Sequence, residues 1–142
     1  MLRLVLLSAP VSVVILVAGS LTAAALPPLE QNPRVAREFL AVAVGDEIRK
    51  NCGSISARFF RVLSKKNELE NYALGLGYTR ADIKAMVGDK AAKDRLKARR
   101  DDYLAAHGVQ AGVQDGAEDA YCRLGREEIA KNSLTGWLLR AR

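Results

Sequence analysis

Apolar residues recur at intervals of three and four along most of the chain, and this spacing predicts α-helices. The first predicted helix runs from Pro33 to about Asn51, because Asn32 can cap its free amides and proline is tolerated at a first helical position. Charged residues such as Glu38 are expected to lie mostly outside its buried face. The predicted buried stripe of this helix is Val35, Phe39, Val42 or Ala43, and Ile48.

A second helix of about twenty residues is predicted after a stop at Gly53, with Ser54 or Ser56 as its cap and Leu76 near its end. Because the connection between the two helices is short, we expect them to pack as an antiparallel hairpin. The apolar positions of the second helix are Phe59, Val62, Leu63, Leu69, Tyr72, Ala73 and Leu76.

Shorter helices are predicted to follow this hairpin. Gly77 and Tyr78 are placed to end the second helix in a Schellman motif, and Thr79 is placed to cap a third helix. A polar fourth helix ends near His107. The buried side of the third helix is predicted to be Ile83, Met86 and Val87.

The last third of the chain is predicted to hold a loop and one further helix. Residues 108–116 contain three glycines without periodicity, which predicts a flexible loop. A fifth helix spans about Ala117 to Lys131, and Ser133 caps a terminal turn through which Trp137 docks on the domain. Since no alternating pattern of useful length predicts a strand, the fold class is all-α, a small bundle of about five helices.

The first 25 residues have the pattern of a secretory signal peptide. Arg3 supplies a positive start, residues 4–17 are uncharged and mostly apolar, and residues 23–25 are alanines of the kind that signal peptidase reads. The predicted organisation is a signal peptide (1–25), a linker (26–31) and a helical domain (32–142), in the periplasm. The uncharged run is also long enough for the roughly 20 residues that cross a bilayer, so an uncleaved membrane anchor is the alternative.

The chain is basic, with a formal net charge of +6 at pH 7. A basic balance often indicates nucleic acid, but an exported protein rarely meets it, so no nucleic-acid partner is predicted. The charge instead favours an acidic protein partner or an anionic membrane surface.

The two cysteines, Cys52 and Cys122, are the most informative residues. In an oxidising compartment an even number of cysteines is usually paired, which predicts one structural disulfide. A redox or metal-binding pair is the other interpretation, but neither a C-x-x-C motif nor a nearby histidine accompanies them. We therefore predict no metal site and no cofactor.

No set of residues predicts catalysis. His107 is the one histidine, and at a helix end it is expected to contact the last carbonyls. The adjacent acidic pairs diverge on a helix and are expected on solvated faces; they are Asp46 and Glu47, Asp101 and Asp102, and Glu127 and Glu128. A non-enzymatic protein is predicted. The alternative is a small periplasmic enzyme or enzyme inhibitor with a groove between the first two helices and the loop near Gly112, for which a pocket should gather Asp46, Arg49 and His107.

Three segments carry a family resemblance: DEIRKNCGSISARFFRVL (46–63), LGYTRADIKAMVGDKA (76–91) and YCRLGREEIAKNSLTGWLLRAR (121–142). They resemble a domain-of-unknown-function family of Rhodobacter-like alphaproteobacteria, with similarity from about Asn32 to the C-terminus. The family has no assigned activity, and its cysteines match Cys52 and Cys122. The genes of the family often lie among those of the proton-pumping NADH:quinone oxidoreductase. The resemblance therefore implies a helical binding or scaffold protein, an accessory or assembly factor on the periplasmic side of that complex.

Overall fold

The structure is a computed structural model that describes residues 25–110 and 117–142. Nearly all of the predicted signal segment, and most of the predicted loop with Gly112, lie outside the described residues. A 3₁₀ turn, Leu29–Gln31, comes first, and the helices and strands that follow it in the described chain are α1 Pro33–Asn51, β1 Ile55–Ala57, α2 Phe59–Gly75, α3 Arg80–Gly88, α4 Lys90–Ala106, α5 Ala117–Ala130, α6 Leu134–Leu138 and β2 Leu139–Ala141. The all-α prediction is confirmed, with six α-helices in the described residues where about five were expected.

Helix α1 is the central element and packs against α4, α5 and α6. Its predicted start is confirmed, because the side-chain oxygen of Asn32 accepts hydrogen bonds from the backbone N–H groups of Arg34 and Val35. Its predicted buried face is partly wrong. The residues that are buried on α1 are Val35, Glu38, Ala41, Val44, Gly45 and Ile48, while Phe39, Val42 and Ala43 are half-buried.

The buried face of α1 is rotated about the helix axis from the predicted one, and it includes the small residues Ala41 and Gly45. At Gly45 the position of an added Cβ lies 3.6 Å from Thr135 Cγ2 and 3.7 Å from Leu139 Cδ2, which are ordinary van der Waals distances, so α6 and β2 pack against α1 there. Phe39 and Val42 face α2 and line a cavity there, and Phe39 packs against the cluster that contains Leu69 and Ala73. The face of α1 that is packed therefore depends on how closely neighbouring elements can approach its side chains, and not on hydrophobicity alone.

The predicted disulfide between Cys52 and Cys122 is present, and the two Cα atoms are 5.1 Å apart. It joins the end of α1 to α5 within the larger of two apolar clusters. That cluster contains Val44, Ile48, Cys52, Ile55, Leu104, Val109, Tyr121, Cys122, Leu124 and Leu139. The smaller cluster contains Leu29, Val35, Leu69, Ala73 and Tyr78. The covalent bond therefore holds the main core, and the smaller cluster lies outside that core.

A two-stranded antiparallel sheet, which the sequence pattern did not predict, connects the α1–α2 junction to the C-terminus. Its register pairs Ile55 with Ala141 and Ala57 with Leu139. Each strand has three residues, which is too short for an alternating pattern to be recognised. The expected serine cap is wrong, because α2 begins after Arg58 without a side-chain cap.

Helices α2 and α3 are joined as predicted. Gly77 has φ +95°, Tyr78 N–H donates to the carbonyl of Ala73 at 3.2 Å, and Thr79 forms a capping box with Asp82. The prediction of a buried side on α3 is partly wrong: Ile83 and Met86 are half-buried against the smaller cluster, but no residue of α3 is fully buried and Val87 is 52% exposed. Helix α3 thus lies on the domain surface with an open apolar side.

A buried carboxylate links α4, α5 and α6. Glu128 is 2% exposed, which corrects the prediction of a solvated position. Its Oε1 accepts a hydrogen bond from the Tyr103 hydroxyl at 2.7 Å, and its Oε2 accepts one from Ser133. The buried carboxylate therefore accepts hydrogen bonds from two hydroxyl groups, one on α4 and one just before α6.

Tyr103→Phe is expected to lower the free energy of unfolding by about 1.5 to 3 kcal/mol, because the lost hydrogen bond is made to a charged acceptor. Burial, and then the bond to Glu128, raise the pKa of Tyr103 to about 12. Unfolded tyrosine titrates near 10.0, so the stabilisation is complete below that pH and is lost as the pH rises through the folded pKa. Denaturant unfolding from neutral to alkaline pH checks this. Burial also raises the pKa of Tyr121, so the variant should keep part of the alkaline loss.

Candidate functional site

The three residues that the enzyme alternative requires are not gathered in one pocket. Asp46 and Arg49 line a cavity of about 230 Å³ together with Phe59, but His107 is not among its lining residues. His107 instead caps α4 as predicted, with Nδ1 2.7 Å from the carbonyl oxygen of Tyr103 and its ring stacked on that side chain. The proposed constellation is therefore not formed.

The charge of Asp46 is already compensated. Burial acts to raise the pKa of Asp46, but hydrogen bonds from Lys50 and Arg49 outweigh it and lower that pKa below its usual value. Both cations form ion pairs with this carboxylate. Asp46 is thus held ionised by its own helix, as expected for a solvated ion-pair cluster.

The most prominent concave surface is an apolar groove formed by α1, α2, α3 and α4. It arises because α2 packs against α3 and α6 and does not pack closely on α1. Two cavities, of about 270 and 960 Å³, share Val35, Phe39, Met86 and Val87, and together we call them the groove. The α1–α2 hairpin of the sequence prediction is therefore open along part of its length.

Apolar side chains dominate the groove. Phe39 and Val42 are the residues of α1 that were predicted to be buried and are half-exposed to this space. Met86 and Val87 line it from α3. The other apolar residues that line it are Pro28, Leu29, Val35, Ala36, Val62, Leu69, Ala73, Ile83, Ala92 and Leu96. Apolar area that stays in contact with water contributes no burial free energy, so a partner that covers this surface would be bound favourably.

Basic residues outnumber acidic residues around the groove. Its two acidic lining residues are already ion-paired, Glu30 with Arg95 and Glu70 with Arg80. The cations at the groove that have no carboxylate within 4 Å in the described chain are Lys66, Lys93 and Arg99. An occupant with acidic residues would therefore find unneutralised partners there.

A buried ion pair sets the distance between α1 and α2 at the groove. Glu38 is 4% exposed, against the prediction that it lies outside the buried face. Its Oε1 accepts a hydrogen bond from Arg34 at 2.9 Å, and its Oε2 lies 3.3 Å from Lys65 Nζ without hydrogen-bond geometry. A hydrogen bond to Glu68 and contact with Glu38 raise the pKa of Lys65. The four-residue spacing of Arg34 and Glu38 was the one sequence signal of this arrangement.

Two kinds of feature are absent from the described residues. Within 25–110 and 117–142, no three His, Cys, Asp or Glu side chains are grouped so that they could hold a metal ion. In the same residues, no helix has the length and hydropathy needed to cross a membrane.

Comparison with known proteins identifies a family. Residues 27–140 match the family described as "Family of unknown function (DUF5333)". No curated protein matches the chain. No solved structure matches it either.

Proposed function

We propose that this chain, which belongs to the DUF5333 family of unknown function, is an exported, non-enzymatic binding protein whose groove holds an amphipathic helix of a partner protein. The observation that supports this is the open apolar groove between α1 and the α2–α3 pair. Recognition of a helix in a groove uses apolar anchors at helical spacing, and a floor of Phe39, Met86 and Val87 offers surface for such anchors.

The charge of the groove indicates the polar side of the partner helix. Lys66, Lys93 and Arg99 lie along the groove on α2 and α4 and have no carboxylate partner in the described residues. Acidic residues beside the apolar anchors of a bound helix would pair with them. A partner helix rich in Lys or Arg would be repelled, so the charge also selects against many other amphipathic helices.

The disulfide supports the exported location. Disulfides persist in oxidising compartments and are rare in the cytosol, and the bond between Cys52 and Cys122 joins the main core. We infer that the mature domain acts in the periplasm.

The partner that we propose to test first is the respiratory NADH:quinone oxidoreductase, with this chain as an accessory or assembly factor. The support is the family resemblance carried by residues 46–63, 76–91 and 121–142. Mild-detergent purification of a tagged copy from membranes is expected to retain subunits of that complex. Recovery only as a free monomer would contradict this assignment of the partner, and a different retained protein would replace it.

Val87→Glu is expected to reduce retention of the partner about tenfold, because it places a charge at the apolar floor of the groove. Val87 is 52% exposed in the free chain, so the substitution should leave thermal unfolding unchanged. The matched control is Ala81→Glu, which adds the same charge to an exposed position of α3 that does not line the groove. Equal retention by both variants would contradict a groove-bound partner.

Lys93→Glu tests the charge argument separately and is expected to weaken retention by several-fold. Lys97→Glu is its control, since Lys97 is an exposed residue of the same helix that does not line the groove. Retention is measured by co-purification at low and high salt, and the difference between the two variants should shrink with salt. Equal loss in both variants would indicate a response to overall net charge and not to the groove.

A further inference from the structure

A second surface, distinct from the groove, carries an exposed aromatic pair. Phe59 and Phe60 at the start of α2 are 69% and 82% exposed, and their rings meet edge to face with centroids 5.5 Å apart. Leu63, one turn later, is 42% exposed. We call these three residues the aromatic tip. None of them lines the groove.

The aromatic tip is held in place by the sheet and by α6. Arg58 N–H donates to the carbonyl of Leu138 at 2.8 Å, and Arg58 Nε donates to the carbonyl of Leu139 at 2.8 Å. Arg61 donates to the carbonyl of Trp137 at 2.9 Å and lies over its ring. Because both flanking residues are fixed to buried elements, the start of α2 presents the two rings outward from a supported position.

The surroundings of the aromatic tip are basic. No Asp or Glu occurs in residues 48–67 or in residues 129–142, and pairing of β1 with β2 brings these two segments together. Arg58, Arg61 and Arg140 have no carboxylate within 4 Å in the described chain. Asp46 lines the cavity beside Phe59, but Arg49 and Lys50 already neutralise it.

We propose that the aromatic tip docks on an anionic lipid surface, with Phe59 and Phe60 entering the boundary between headgroups and acyl chains. Peripheral membrane segments combine exposed Phe or Leu with Lys and Arg in this way, and the arginines here would face lipid phosphates. Phe60 is 82% exposed, so its ring protrudes from the surface. The exposed rings lie beside arginines that have no carboxylate partner in the described chain, and this combination of apolar and cationic groups favours an anionic lipid interface.

The test is sedimentation of the purified protein with vesicles of phosphatidylcholine alone or mixed with phosphatidylglycerol. Binding is expected to the mixed vesicles, to weaken with salt, and to fall at least tenfold in Phe59→Ser/Phe60→Ser. The matched control is Leu26→Ser/Leu76→Ser, which removes two exposed leucines elsewhere and should bind like the unsubstituted protein. Intact-mass measurement checks that all variants carry the same N-terminus, in which case differences between them report on the aromatic tip.

Three outcomes would overturn the proposal. The first is equal binding of the unsubstituted protein and the Phe59→Ser/Phe60→Ser variant to the mixed vesicles. The second is equal binding of the unsubstituted protein to both vesicle types. The third is no vesicle binding together with loss of a co-purified protein in the Phe59→Ser/Phe60→Ser variant, which would make the tip a protein contact. The groove variants are expected to bind vesicles normally, so failure of the lipid proposal and failure of the groove proposal are distinguishable.

Discussion

Reduction of the bond between Cys52 and Cys122 is expected to lower the free energy of unfolding by about 4 kcal/mol. The bond closes a loop with a sequence separation of 70, and the expected loss is the entropy that the unfolded chain regains when the loop opens. Domains of this size have a total stability of about 5 to 15 kcal/mol, so a loss of about 4 kcal/mol removes a large share of it. Guanidinium unfolding with and without a reductant measures the difference.

A Cys52→Ala/Cys122→Ala variant separates loss of the bond from side effects of the reductant. It should unfold at or slightly below the midpoint of the reduced protein, and the reductant should leave it unchanged. The larger apolar cluster surrounds both sulfur atoms, so some loss of packing adds to the loss of the covalent bond. If the reduced protein unfolded at the midpoint of the oxidised one, the bond would contribute nothing to the folded state, and the argument from loop closure would be wrong for this chain.

Several helix ends, though not the start of α2, were predictable from the sequence because they depend on a few neighbouring residues. Asn32 before Pro33, Gly77 before Tyr78, and Ser133 before the last turn each use local hydrogen bonds, and all three are confirmed. The chemistry of such ends does not depend on what the rest of the chain does. The disulfide was predictable for a different reason, because two cysteines allow a single intramolecular pairing.

The packed face of α1 was not predictable, because it depends on which helices approach it. Ala41, Val44 and Gly45 are small enough to let α4, α5 and α6 come close, and hydrophobic spacing alone ranked Phe39 and Val42 above them. The burial of Glu38 and Glu128 was not predicted for the same reason. Their partners, Lys65 and Tyr103, come from other helices, and nothing local in the sequence indicates those contacts.

Both proposed binding surfaces include residues that the sequence pattern assigned to the buried stripes of helices. Phe39 and Val87 line the groove, and Phe59 lies in the aromatic tip. Periodicity identifies an apolar face but does not show whether this chain covers it. An apolar face left open in the folded chain is therefore information that only the tertiary structure supplies, and it is the basis of both proposals.

Gly136→Ala is expected to destabilise the protein by about 3 kcal/mol or more, because no space exists for the added methyl group. A Cβ at Gly136 would lie 1.9 Å from the carbonyl oxygen of Glu128 and 2.6 Å from the backbone nitrogen of Ile129. Backbone atoms of α5 cannot move aside as the end of a flexible side chain can. Relief would have to come from moving α6 away from α5.

Displacement of α6 would break several contacts together. Ser133 Oγ accepts the N–H of Gly136 at 2.9 Å and donates to the buried carboxylate of Glu128, while Leu139 after α6 starts the strand beside β1. Guanidinium unfolding should show a lower midpoint for Gly136→Ala. Gly88→Ala is the matched control, since nothing lies within 4 Å of its added Cβ and alanine has the higher helix propensity. An unchanged midpoint for Gly136→Ala would mean that α6 does not pack on α5 at this distance.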